Sequence, residues 1–419
     1  MVAPGTRARK ISVKARSTTG LLYLGLWVAF AVGVAVLATD VSASEGPIKE
    51  VALPEGLSSA QAIAVDPSGR IWFTEKIGKK LALFDPAKAE FKTFPLPSSW
   101  GSVGISQFAL SPDGEIWFTV RRWAENAELP HLLGKFTPAD GFFTKYVLSI
   151  DAVPEELLVD GEGLIWFVAS NKDNLYRVDL TDLSVKGYPV PTPNGNPRSL
   201  AVDAKGQIWF AEPNANKIGR FVPAVEEFHE YEIPTPFANP GKIAIDEDGK
   251  VWFVELNTNR IAVFYPDWVR FDDAIIPTTN SSPDSLVVDE NGNIWFLEYR
   301  GNKVGVFTPE AAVFREYAIP TFNSLPGALA IDRERSTLWF SEGSTEAKRL
   351  GMLSIDEALA DPKQKGATTK GVSSGEVLLE EESRKILSGW IFLVVSIVFT
   401  VMVVGWLRYS RGPREGAAT

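Results

Sequence analysis

Hydrophobic positions in this chain follow two patterns. Near each end they run unbroken: residues 21–38 form an 18-residue apolar stretch and residues 386–407 a 22-residue one. Between them, short alternating segments surround a phrase that returns seven times: Ile71-Trp72-Phe73, Ile116-Trp117-Phe118, Ile165-Trp166-Phe167, Ile208-Trp209-Phe210, Val251-Trp252-Phe253, Ile294-Trp295-Phe296 and Leu338-Trp339-Phe340. Successive tryptophans lie 45, 49, 43, 43, 43 and 44 residues apart. A period near 43 built from β-forming segments is the spacing of propeller blades, not of helical repeats. The fourth repeat predicts strands at 199–203, 207–211, 217–222 and 227–233, parted by turns rich in Gly, Asp, Asn and Pro. Seven such repeats predict an all-β, seven-bladed propeller of four-stranded blades over 47–354.

The ends of the array predict how the last blade is built. The seventh repeat stops after its third strand, around 350–354, and then turns polar. A fourth strand is available at 48–53 before Pro54, which reads like 314–319 before Pro320. Their pairing would close the ring and remove an exposed sheet edge. In such blades the loops joining second to third strands share a face with the loops joining blade to blade. Both chain ends then leave from the opposite, tethered face. Residues 355–385, largely polar and carrying Pro362, Gly366, Gly371 and Gly375, read as a flexible stalk.

The run 386–407 holds no charge and carries Trp390 and Trp406 near its ends, which predicts a transmembrane helix. Arg408, Arg411 and Arg414 follow it in a basic cytoplasmic tail, 408–419. The run 21–38 follows a basic leader, 1–20, and reads either as a signal peptide cut after Ala43 or as a retained anchor. Gly25, Ala29 and Gly33 recur every four residues and offer a small-residue face for helix packing. With both helices kept, the basic ends place both termini in the cytoplasm and the propeller outside the cell membrane. Composition then narrows the chemistry. A formal net charge of -10 with no basic, aromatic-interleaved run argues against nucleic acid. The absence of cysteine removes disulfides, thiolate metal sites and thiol nucleophiles. Only two histidines, His131 and His229, are available for imidazole chemistry.

Ile71-Trp72-Phe73-Thr74-Glu75 and Asn216-Lys217-Ile218-Gly219-Arg220-Phe221 resemble phrases of the virginiamycin B lyase (streptogramin lyase) family, and the likeness recurs in every blade across roughly 47–354. The resemblance implies a metal-dependent lyase that opens a cyclic depsipeptide at an ester linkage by elimination, with magnesium and a histidine general base on adjacent blades. Such a base is chemically apt, because imidazole titrates near neutral pH, and Mg²⁺ would stabilise an enolate. This sequence departs from that pattern. His229 sits in the outer-strand phrase Phe228-His229-Glu230-Tyr231, His131 lies in an insertion, and the loops after the blade-four and blade-five signatures hold no histidine.

Three residue sets stand out. Glu75, Glu212, Glu255, Glu298 and Glu342 each follow a signature tryptophan by three residues, with Val120 and Ala169 in their place in blades two and three. They read either as ligands for a hard cation, Mg²⁺ or Ca²⁺, around the channel mouth, or as partners of basic residues within their own blades. The signature tryptophans Trp72, Trp117, Trp166, Trp209, Trp252, Trp295 and Trp339 read as packing between blades. Trp100, Arg121, Arg122 and Trp123 read as anchors for a partner on the face away from the membrane, with a satellite core as the alternative for Trp123. Trp268 marks a third-to-fourth strand turn on the tethered face, in reach of lipid or a membrane partner. The leading expectation is a membrane-anchored recognition or assembly module, an accessory subunit in contact with lipid and membrane proteins. A metal-dependent lyase or lactone hydrolase, and a small-ligand binder of the central channel, are the alternatives.

Overall fold

The computed structural model describes residues 37–38, 41–42 and 46–368, apart from 76–78, 123–130, 149, 151, 153, 170–171, 181, 183 and 362–365. Seven antiparallel sheets follow one another along this stretch, each built on four strands. In blade four the strands are Arg198–Val202, Ile208–Glu212, Lys217–Val222 and Glu227–Glu232, within one residue of the bounds read from the sequence.

A single carboxylate organises the first turn of the blade. Asp203 Oδ1 accepts the backbone N–H groups of Lys205 and Gln207, both at 2.9 Å, while Oδ2 accepts the Trp209 indole N–H at 3.0 Å. Gly206 completes that turn at φ 73°, which an L side chain rarely adopts. Asp66, Asp160, Asp246 and Asp289 hold Trp72, Trp166, Trp252 and Trp295 in the same way. Each tryptophan can therefore be buried without an orphaned N–H. The rings then cross the seam to the next blade: Trp166 meets Phe221 at 5.8 Å, Trp209 meets Phe264 at 6.0 Å, and Trp339 meets Phe84 of blade one at 5.8 Å.

Within a blade, the phenylalanine after the tryptophan lies over a glycine of the third strand. A Cβ on Gly219, Gly305 or Gly351 would stand about 2 Å from the ring of Phe210, Phe296 or Phe340, each of which is fully buried. Gly305→Ala is expected to destabilise the fold by about 1–3 kcal/mol, the usual cost of overpacking a full core. Urea unfolding should show a lower midpoint with an unchanged slope.

The seventh blade draws on both ends of the domain. Ile48–Ala52 pairs antiparallel with Arg349–Ser354, Ile48 opposite Leu353 and Val51 opposite Leu350. Ile48, Val51 and Leu53 are buried there.

Two boundaries differ from the sequence reading. Residues 355–361 and 366–368 do not begin a free stalk. Ile355–Ala360 is a helix capped by Ser354, with Ile355 and Ala358 buried, and the Tyr317 hydroxyl donates to the Ala358 carbonyl at 2.6 Å. Ala367–Thr368 then adds a strand to Val313–Ala318 of blade six. The reason is local: two apolar side chains one helical turn apart reach the groove beside Tyr317. Likewise Leu37–Ala38, the last residues of the predicted first span, pairs with Glu90 and Phe91 on the outer strand of blade one. Among the described residues no helix is long and apolar enough to cross a membrane. The span at 386–407 and the stripe Gly25, Ala29 and Gly33 lie outside the described residues.

Candidate functional site

The five glutamates do not ring the channel. They end second strands, are almost fully buried, and each sits inside its own blade. Around Glu298, the Thr278 N–H and hydroxyl donate to Glu316 at 3.0 and 2.7 Å, and Lys303 Nζ reaches Thr278 at 2.6 Å and Glu316 at 2.7 Å. Thr192, Glu230 and Lys217 repeat this beside Glu212; Thr321, Glu50 and Arg349 repeat it beside Glu342. The threonine follows the outer strand of one blade and fastens to the outer strand of the next, so the motif is a peripheral latch.

Burial, reinforced by the neighbouring Glu230, Glu316 or Glu50, raises the Glu212, Glu298 and Glu342 carboxyls to about 8. Glu316 is half-buried, yet bonds from Lys303 and Thr278 hold it below its usual range. In the Glu212 and Glu298 latches the two acids are thus pushed apart, one raised and one lowered. Both carboxyl oxygens of Glu212, Glu298 and Glu342 are buried without a hydrogen-bond partner, a setting that favours the neutral acid. Burial also raises Glu75 and Glu255, which accept bonds from the Ser58 N–H and the Thr258 hydroxyl. A lysine-bridged acid pair does not fit a magnesium or calcium cage, and no described group of three or more acidic or histidine side chains could hold a metal ion.

The blade-two anchors separate. Trp100, 8 % exposed, ends a short 3₁₀ turn and packs on Phe118 and Phe143, with Lys145 over its ring. It is a core residue, because Phe118 of the second strand and Phe143 of the outer strand wall it in. Arg121 and Arg122 extend the second strand opposite Gly104 and Val103, and Trp123 lies outside the described residues.

The two most exposed aromatics belong to other loops on the same face. The sequences from Pro191 to Pro197, Pro234 to Pro240, Pro277 to Pro283 and Pro320 to Pro326 share the form P-T-x-x-x-x-P and lead into blades four to seven. Asn216 pins the second of them: its amide donates to the carbonyls of Ile233 and Thr235, and its oxygen accepts from the Ala238 N–H. Asn259 and Asn302 do the same for the next two loops. On these fixed loops Phe237 is 85 % and Phe322 94 % exposed. Phe237 also has φ 56°, where the matching loops carry Asn194, Asn280 and Asn323. A bulky residue in left-handed backbone costs of order 1 kcal/mol and here gains no packing in return. The loop comparison held this signal, since phenylalanine replaces a polar turn residue.

Between these loops opens the central channel, a cavity of about 430 Å³ lined by the first strands of all seven blades. Its charged residues are Glu156, Arg198, Lys242 and Asp284, from blades three to six. Lys242 pairs with Glu156 across the blade between them. The Asp284 side chain is reached by solvent in the channel, yet the surrounding walls raise its carboxyl above the usual range against the pull of Lys242 and Arg198.

A family model for the virginiamycin B lyase family matches residues 44–351, most of the chain and the whole ring of blades. The chain belongs to the virginiamycin B lyase family. Its architecture is similar to the virginiamycin B lyase of Staphylococcus aureus, at 26% identity and a TM-score of 0.64, covering 73% of this chain and 98% of that one. A catalytically inactive histidine-to-alanine variant of that lyase with quinupristin matches equally well, at 26% identity over the same shares with a TM-score of 0.64. The fold is shared with the extracellular domain of a one-component system from B. thetaiotaomicron, at 15% identity and a TM-score of 0.55 over 77% of this chain and 47% of that one. No curated protein matches the chain. His229 is exposed on the outer strand of blade four, opposite Arg220, and His131 opens the third strand of blade two.

Proposed function

We propose that this chain is a membrane-anchored, extracytoplasmic member of the virginiamycin B lyase family that recognises a protein partner in a membrane complex. The observation that carries this reading is the pair Phe237 and Phe322, held rigid and almost wholly exposed on the face opposite the one where the chain enters Ile48 and leaves Ser354. Large apolar rings on pre-ordered loops lose little entropy on docking, and buried aromatics dominate interface energies. Anchoring rests on the apolar runs 21–38 and 386–407 with their basic flanks. Trp268, half exposed and stacked on Tyr265 at 5.6 Å, lies on the turn face, where it suits contact with lipid or an anchoring neighbour.

Extraction in mild detergent should give a particle heavier than one 45.9 kDa chain in its micelle, with the same partner chains in each preparation. Phe237→Ser with Phe322→Ser should lose those partners while keeping the wild-type melting temperature. A solitary wild-type particle would sink the reading.

Family membership and 26% identity to a lyase favour a second reading, metal-dependent opening of a cyclic ester. Incubation with a streptogramin B antibiotic and Mg²⁺ tests it directly. The recognition reading expects no linear product, because His229 lies exposed on an outer strand and the acidic latches do not suit a cation.

A further inference from the structure

Four charges share the channel mouth, and only two of them satisfy each other. Glu156 and Lys242 stand ten residues before Trp166 and Trp252, while Arg198 and Asp284 stand eleven before Trp209 and Trp295. First strands start at the loop face, so the Glu156–Lys242 pair forms a floor and Arg198 and Asp284 sit one residue nearer the opening. Among the described residues, the Arg198 guanidinium has no ion pair and the Asp284 carboxyl no hydrogen-bond donor.

We propose that the channel mouth binds a free α-amino acid, its carboxylate on Arg198 and its ammonium on Asp284. Net charge selects this class. The four side chains sum to zero, so a simple anion would leave Asp284 unanswered and a simple cation would leave Arg198 unanswered. A small zwitterion answers both, and complementary charge in a confined site favours it over either single ion. The ionised Glu156–Lys242 floor is already neutral and does not compete for the ligand. Leu256 and Tyr299 at the rim supply an apolar wall for a side chain, and a cavity of about 430 Å³ accommodates such a molecule. This site shares no residue with the Phe237 and Phe322 surface, so its occupancy does not depend on a protein partner.

Calorimetry on the full chain in detergent, with the twenty free L-amino acids as probes, tests the site. At least one should bind saturably. Its N-acetyl derivative and its amide, each lacking one charge, should bind about tenfold or more weakly, the scale of one charge-assisted hydrogen bond. Arg198→Gln should remove the discrimination against the amide, and Asp284→Asn that against the N-acetyl form. Phe237→Ser with Phe322→Ser should leave amino-acid binding unchanged, which separates this result from loss of the protein partner. No saturable binding by any of the twenty, or binding equally tight for the blocked derivatives, would overturn the proposal. The derivatives make this comparison on the unaltered protein, so a variant that failed to fold would not obscure it.

Discussion

A chain that begins at Glu55 is expected to lose most of the stability of the propeller, although every signature tryptophan remains in it. Removing Ile48–Ala52 strips Arg349–Ser354 of its outer partner and exposes a sheet edge. It also deletes the burial of Ile48, Val51 and Leu53. Each such side chain contributes about 1.5–3 kcal/mol, so the sum approaches the roughly 5–15 kcal/mol of a whole domain. Glu50 goes too, freeing Thr321 and Arg349 from the seventh latch. Thermal unfolding of the shortened chain should begin far below that of the parent. A permuted chain that joins residues 47–54 after Ser354, through a turn like the one between Val222 and Glu227, should restore the transition. If the shortened chain melted like the parent, the strand would be an accessory and not a member of the blade.

Raising the pH through 8 is expected to weaken the fold through Glu212, Glu298 and Glu342. Their carboxyls are lifted from the ordinary 4.5 to about 8 by burial and a neighbouring acid. Between those values the native state holds a proton that the unfolded chain has released, so stability falls as pH rises across the window. The contribution is complete below 4.5 and gone once the folded groups ionise near 8. Each group costs on the order of 1 kcal/mol per pH unit while this lasts. Urea midpoints should therefore decline from pH 5.5 to pH 8.5. Glu212→Gln, Glu298→Gln and Glu342→Gln together should flatten the decline, because the amide keeps a donor and cannot ionise. A parent midpoint that rises over this range, or a triple variant with an unaltered slope, would contradict the protonated latch.

Much of this fold was legible because its signals repeat. Tryptophan spacing marks seven blades, and the matching phrases around Pro54 and Pro320 mark the split seventh blade. Repetition carried a second message in the glutamates. Glu212, Glu255 and Glu298 are each followed five residues later by a basic residue, as a structural latch requires. The aspartate that bonds the indole N–H was equally periodic, six residues before the tryptophan, yet passed as turn chemistry. What repetition hides are features that occur once. Trp100 looks exposed until Phe118 of the second strand and Phe143 of the outer strand of blade two are brought beside it. The helix Ile355–Ala360 is too short for a periodic pattern, although Ser354 and Glu357 spell its cap. The channel charges differ from blade to blade, so no motif marks them; only their place ten or eleven residues before a signature tryptophan does.

The central claim, a recognition face that points away from the chain ends, is tested most directly by site-specific photocrosslinking in native membranes. A photoreactive phenylalanine analogue at Phe322, with the same probe at Val225 on a turn of the opposite face as control, reads which surface meets a protein. The account predicts a discrete protein adduct from position 322 and none from position 225. Adducts from 225 alone, or lipid adducts alone from 322, would contradict it.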